Sequence, residues 1–234
     1  MLIFLAIGVA VTALAHMWPA PFVLDWMAGD RAVWSMPSTA TPTVYLTFDD
    51  GPNPSTTPDL LDVLAAEGVQ ATFFVIDDHL TAETAPIVRR AFVEGHSIAL
   101  HSSSRRLMLM SPAHLGRTLR AAAARIETLT GGTPCRAFRP HAGWRSGQMY
   151  AGLRALDYRL IGFGWMLWDF NWFRARTADS AFGRITARVS DGDIIVMHDG
   201  DESAPTRDQR HAVEATRRLI PELRSRGFAF GKVC

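Results

Sequence analysis

Three scarcities bound what this chain can be. Only two of its 234 residues are cysteine, Cys135 and Cys234, so no disulfide framework can organise the fold. In an oxidising compartment the two could pair, and neither has a neighbouring His or Cys to mark it as a metal ligand or nucleophile. Net charge is scarce too. Twenty-four basic residues nearly cancel 23 acidic ones, leaving +1, with no block of like charge anywhere. That balance excludes a nucleic-acid or polyanion binder that works by bulk electrostatics. Lysine is almost missing, Lys232 being the only one, so arginine carries the positive charge. Internal repeats and low-complexity tracts are absent.

Apolar residues, by contrast, make up 48% of the chain, ample for a large core. At this length the simplest organisation is one domain plus a leader. Leu2 to Ala15 is apolar except for Thr12, and Ala13-Leu14-Ala15 resembles a small-residue cleavage site. That fits a signal peptide, although no Lys or Arg precedes the run. Read as continuing through Trp18 towards Leu24, the same run makes a membrane anchor of roughly 20 residues. Both readings imply export, to the periplasm, the cell envelope or the medium. Ala28 to Pro42, rich in Pro, Ser and Thr, reads as a linker. The expected organisation is a leader and linker over residues 1–42 and one domain over 43–234.

From Thr43 onwards strand and helix signals alternate. Candidate strands are Thr43–Phe48, Ala71–Ile76, Ser97–Leu100, Arg136–Arg139, Arg159–Trp165, Asp193–Met197 and Phe228–Val233. Helical patterns separate them at Pro58–Glu67, Ala85–Glu94, Pro112–Leu129, Gly147–Leu156, Ala178–Val189 and Arg207–Arg226. Such alternation implies parallel strands joined by crossovers, an α/β fold. Seven units suggest a barrel-like sheet with its site at the C-terminal ends of the strands.

Thr47-Phe48-Asp49-Asp50-Gly51-Pro52 is the stretch around which the site is organised. Side chains alternate along a strand, so Asp49 and Asp50 diverge unless the pleat ends there, as Gly-Pro implies. Two carboxylates that converge repel unless a cation or a pKa split relieves them. A metal on one, with the other poised as a base, resolves the conflict. An isolated Asp-Asp-Gly is equally at home in a plain turn. Here, though, His101, Arg139 and His198 also end strands, and Trp168 to Trp172 follow another. Ionisable and aromatic groups at five strand ends converge on one face, and that convergence favours a site.

These residues resemble the polysaccharide deacetylases, the NodB-homology carbohydrate esterases, from about Thr43 to the C-terminus. The resemblance implies a distorted (β/α)7 barrel and a divalent metal, zinc foremost, with cobalt, nickel, iron or manganese compatible. It also implies a polysaccharide or oligosaccharide substrate from which acetyl groups are hydrolysed. By that resemblance Asp49 is the general base, and Asp50 and His101 hold the metal. Arg139, in Phe138-Arg139-Pro140-His141-Ala142-Gly143-Trp144, pairs with the base, and the Ala142 amide helps to hold the oxyanion. His198, ending Ile194-Ile195-Val196-Met197-His198, protonates the departing amine. Trp168 and Trp172 are candidates to line the sugar cleft.

Three positions depart from the family pattern. Where a second metal-binding His is expected, the chain has Arg105, whose guanidinium has no lone pair to offer a cation. His141, where the family usually has Pro, is the leading substitute; His79, Ser104 or waters are the others. Arg105 instead either supplies a fixed positive charge near the acyl oxygen or points into solvent. Asn171-Trp172 stands where the family has Asp-Trp, so support for the His198 imidazolium should be weaker unless Asp169 takes that role. The expected activity is metal-dependent removal of N-acetyl groups from amino sugars of an envelope or extracellular polysaccharide. A non-catalytic glycan-binding relative, or a deacylase of another amide or an O-acetyl ester, are the alternatives.

Overall fold

The computed structural model describes residues 2–170 and 175–234. Helices α1 (Leu2–Met17) and α2 (Val23–Ala28) lead into a two-residue strand, β1 (Ala32–Val33). Alternation then begins with β2 (Thr43–Asp49), α3 (Thr57–Ala66), β3 (Thr72–Ile76), α4 (Ala85–Val93) and β4 (Ser97–His101). It continues through α5 (Pro112–Thr130), β5 (Ala137–Arg139), α6 (Gly147–Ala155) and β6 (Arg159–Ile161). The chain closes with α7 (Ala178–Thr186), β7 (Ile194–His198), α8 (Arg210–Ser225) and β8 (Ala229–Gly231). Every ladder is parallel, in the order β1-β6-β5-β4-β3-β2-β7, with β8 beside the start of β2. The expected curled α/β sheet is present, and all seven expected strands contribute to it.

Strand alternation divides the core in two. Val44, Leu46 and Phe48 of β2, with Ile195 and Met197 of β7 and Ile98 and Leu100 of β4, pack outward beneath the helices. Tyr45, Phe74, Ala99, Ala137, Ile161, Ile194 and Val196 point the other way and fill the barrel interior. Period-two counting from those interior residues assigns Asp49, His101, Arg139 and His198 to the same inner side, one step nearer the C-terminal ends. Register sets them opposite one another, with Asp49 paired to His198 and His101 to Arg139. The apolar interior thus ends in a polar layer.

The strand expected to run to Trp165 stops at Ile161, because the next residues close the barrel rather than extend a ladder. Gly162 N–H bonds to Val33 O at 2.7 Å on one side, and Gly164 N–H to Ile194 O at 2.8 Å on the other. Val196 N–H then reaches Leu167 O at 2.9 Å. A side chain at 162 is excluded, since a Cβ there would lie 2.3 Å from the Trp34 ring.

The stretch expected to be leader and linker enters the fold earlier than its composition suggests. Ala32–Val33 pairs with β6. The apolar run does not continue as one helix to Leu24: α1 ends at Met17, ahead of Pro19 and Pro21, which lack the amide a helix interior needs. No described helix is long and apolar enough to cross a membrane. Beyond α1 the chain is fastened by Arg145, which has no exposed surface. Its guanidinium donates to both carboxylate oxygens of Asp25 (2.7 and 2.6 Å) and to the carbonyls of Trp18 (2.7 Å), Ala20 (2.8 Å) and Gly143 (2.9 Å). Tyr150 Oη donates to Asp25 at 2.6 Å. Stranding either charge of such a pair would cost about 3–5 kcal/mol.

Cys135 and Cys234 form a disulfide spanning 99 residues. On chain-entropy grounds a loop of this size stabilises the fold by about 4–5 kcal/mol. Reductant is therefore expected to move the urea midpoint down by that equivalent, and Cys234→Ser should do the same. An unchanged midpoint would show that the bridge constrains nothing.

Candidate active site

Asp49, the last residue of β2, keeps the strand's inward direction. Asp50 takes a left-handed backbone (φ 70°), which breaks the pleat and brings its carboxylate into the same cavity. Gly51 follows because a Cβ there would come within 2.4 Å of Asp199 Oδ2. Asp199 in turn accepts from Thr57 Oγ1 at 2.5 Å, and Thr57 Oγ1 accepts from Asn53 N–H at 2.9 Å, so a buried carboxylate under the turn holds its shape.

The cavity at the mouth of the barrel has a volume of 250 Å³ and is lined by Asp49, Asp50, His101, Arg139, His141 and His198, among others. Arg139 is buried and donates through Nη1 to Asp49 Oδ1 (2.7 Å) and Thr47 Oγ1 (2.8 Å). Its other donors meet the carbonyls of Ile161 (3.2 Å) and Gly162 (2.9 Å), and its face lies 4.0 Å from the Phe74 ring centroid. A guanidinium so constrained leaves Asp49 with one orientation.

Asp50, His101 and His141 bring one ligand atom each to within 4.8 Å of one another. His101 Nδ1–H donates to Arg139 O at 2.7 Å, which turns Nε2 towards Asp50 Oδ1 at 3.1 Å. That oxygen is buried without a hydrogen-bond partner. Two ligands of a tetrahedral ion stand roughly 3.4 Å apart, so the spacing and the unused lone pairs fit a divalent cation. Burial pushes the Asp50 carboxyl up, but contact with His101 and the neighbouring imidazoles outweigh it, bringing it down to about 2; Asp49 and Asp50 in turn outweigh burial at His101 and raise its pKa, so a divalent cation would bind there by displacing the proton that the pair shares. Burial, then the neighbouring His101, lowers the basicity of His141 and keeps its lone pair available. Ser102 Oγ accepts the His141 amide at 3.1 Å and seats that residue.

The other candidates for the third ligand go elsewhere. His79 donates to the backbone carbonyl of Asp50 at 3.0 Å, and Ser104 caps a short 3-10 turn at Arg105–Leu109. Arg105 is exposed, its guanidinium 5.2 Å from the Trp144 ring centroid, and it borders the cavity.

On the opposite wall His198 Nδ1–H donates to Asp169 Oδ1 at 2.7 Å, and the His198 amide to Asp169 Oδ2 at 2.9 Å. Asn171 and Trp172, placed by the sequence pattern in the supporting and cleft-lining positions, lie outside the described residues. The carboxylate that meets His198 is Asp169, so the negative charge is kept. Sequence reasoning missed His211, at the start of α8, whose Nε2 lies 3.3 Å from Asp169 Oδ2. No motif marks it; only tertiary folding brings α8 there. Burial opposes a charge on His198, but Asp169, with Asp50 and Asp49 behind it, outweighs burial and raises its pKa to about 9. His198 therefore carries its proton through neutral pH. Replacing Asp169 by Asn should lower that pKa and draw the alkaline limb of the kcat profile down from about 9. An unmoved limb in Asp169→Asn would dissociate the pair from turnover.

Ala142 adopts φ 53° on the loop after β5 and borders the cavity. Trp168 is buried at 5% exposure and stacks on Phe170 at 4.8 Å, so it is largely core, with an edge on a neighbouring groove.

Comparison with known proteins identifies the family. Residues 37–161 match the polysaccharide deacetylase family. A chitooligosaccharide deacetylase of Sinorhizobium fredii is 36% identical over 199 residues, covering 81% of this chain and 89% of that one. A solved peptidoglycan N-acetylglucosamine deacetylase superimposes with a TM-score of 0.75 at 26% identity, covering 89% of this chain and 93% of its own. An acetyl xylan esterase of Clostridium thermocellum, solved with a cobalt ion, gives a TM-score of 0.70 at 33% identity over 82% and 88% of the two chains. By fold, motifs and relatives, this chain belongs to the polysaccharide deacetylase family.

Proposed function

We propose that the protein hydrolyses the acetamide of an N-acetylated amino sugar in an envelope or extracellular glycan, releasing acetate and a free amine. The observation that carries this reading is one cavity holding an arginine-oriented carboxylate, a three-ligand cluster and a carboxylate-supported imidazolium. A divalent ion on Asp50, His101 and His141 would supply Lewis-acid polarisation of the acetyl carbonyl and acidify water there. Asp49 takes a proton from the attacking water, its lone pair aimed by Arg139. The Ala142 amide donates to the oxyanion as the carbonyl carbon becomes tetrahedral. His198 then gives its Nδ1-supported imidazolium proton to the sugar nitrogen as the C–N bond breaks, and Asp169 holds the ring in place.

Zinc suits a donor set of one carboxylate and two imidazoles better than the harder cations do. The apolar run at residues 2–15 serves as an export leader, and residues 16–42, which begin at His16 whose carbonyl accepts the Arg145 amide at 2.9 Å, belong with the catalytic domain. Acetate release from chitin oligomers, peptidoglycan and acetylated xylan tests the reading. Release from the first or second supports it, release from xylan alone moves the chemistry to an ester, and glycan binding with no release from any substrate makes the protein a binder.

A further inference from the structure

A second imidazole stands behind the His198–Asp169 pair. His211, the second residue of α8, brings Nε2 to 3.3 Å from Asp169 Oδ2, while Asp169 Oδ1 takes the His198 Nδ1–H at 2.7 Å. Both rings are nearly enclosed, with side chains 13% and 14% exposed, and the carboxylate between them is fully covered. His211 Nε2 is itself buried and makes no hydrogen bond. A carboxylate only accepts, and a ring lone pair turned on it would repel, so Nε2 carries the proton. It is a donor facing an anion and not yet aligned with it.

The start of α8 is pinned in place. Gln209, at its N-cap, is buried and donates through Nε2 to Gly200 O at 2.7 Å and through its amide to Thr56 Oγ1 at 3.2 Å. Ala212 and Val213, next along the helix, are core residues. Among the described residues, His198 and His211 are the only ionic partners of the Asp169 carboxylate. Other charged groups stand farther off. From α7, Arg184 holds the carbonyls on either side of Asp169, those of Trp168 (3.1 Å) and Phe170 (2.9 Å). Just before α8, Asp208 is paired with Arg210 at 2.7 Å and lies within reach of the His211 charge. Asp49 and Asp50 act on His198 from the cavity, with Arg176 and Glu202 on its rim.

We propose that His211 is a positioning residue, sharing the Asp169 carboxylate with His198 and so setting how readily His198 gives its proton to the departing amine. His211 transfers no proton itself. When the His198 proton moves from Nε2 to the sugar nitrogen, Asp169 becomes a covered anion beside a neutral ring, and the His211 N–H is there to take up its charge. Without that donor the full carboxylate charge falls on His198, which then holds its proton more tightly. The role in turnover rests on the deacetylase reading, while the coupling of the two rings follows from their shared carboxylate alone.

The test follows the His198 pKa in zinc-loaded protein by NMR of its ring carbons, and the kcat profile on chitotetraose, in wild type, His211→Leu and His211→Gln. Leu removes the N–H; Gln keeps one without the charge of the ring. In His211→Leu the His198 pKa should rise by about 1, and the alkaline limb of kcat should move up with it. Plateau kcat should fall by about three- to tenfold with KM unchanged, since a proton held more tightly is given less readily. His211→Gln should move both less. In an Asp169→Asn background His211→Leu should add nothing, because the shared group is gone. An upward shift in either variant that vanishes in that background supports the assignment. A His198 pKa unmoved or lowered in both variants, or the same rise with Asp169 already replaced, overturns it. Gln preserves polarity at the start of α8, so a folding defect in His211→Leu does not decide the matter. If wild type releases no acetate from any oligomer, the deacetylase reading fails, and the NMR titration still judges the coupling.

Discussion

Asp49→Asn is expected to lower kcat by about 10²–10⁴-fold while leaving metal content and chitotetraose affinity near wild type. The substitution changes little in shape. Asn can still accept from Arg139 Nη1, which now reaches Asp49 Oδ1 at 2.7 Å, and it lines the same cavity. What it cannot do is take a proton from water. It also leaves the enclosed Arg139 cation without its counter-charge, so some loss of thermal stability should accompany the loss of rate. Separating the two requires kinetics at a temperature where the variant remains folded, judged by circular dichroism. Turnover within a few-fold of wild type would remove Asp49 from the reaction.

His141→Ala should weaken divalent-metal binding by at least about 100-fold, since losing even an outer-shell partner of a metal site typically costs 10–100-fold. The size of the effect follows from the cluster. With His141 gone, Asp50 and His101 remain, two protein ligands where catalytic zinc sites generally use three. Acetate release should fall in parallel at limiting metal and recover in part at high metal concentration, which an effect on folding alone would not do. Arg105→Ala, by contrast, should keep wild-type metal affinity, because that guanidinium sits over Trp144 and outside the donor cluster. Equal metal loss in both variants, or in neither, would contradict the assignment.

Much of the fold was legible because strand alternation is a strong constraint. Asp49, His101, Arg139 and His198 each end a strand in phase with small or apolar interior residues, and buried parallel ladders leave them no direction but inward. The Asp50 turn was legible as well, because Gly-Pro stops the pleat. The features that escaped depend on contacts between distant segments. Asp169 reaches His198 because residues 162–168 cross from β6 to β7 to close the barrel, a path that strand propensity alone does not forecast. His211 arrives from a helix that begins about forty residues later in the chain. The composition of the N-terminal segment reads as leader and linker, yet Asp25, the only formally charged residue before Asp30, is the partner of a buried arginine. A lone acid in an apolar stretch was the available signal.

The arrangement of Asp50, His101 and His141 around one cation is the claim on which the rest depends. Anomalous diffraction at the zinc edge, from crystals grown with zinc, addresses it most directly. The account predicts a single peak in the barrel mouth bonded to one oxygen of Asp50, to His101 Nε2 and to a ring nitrogen of His141. A peak bonded without His141, or no peak in that cavity at saturating zinc, would contradict it.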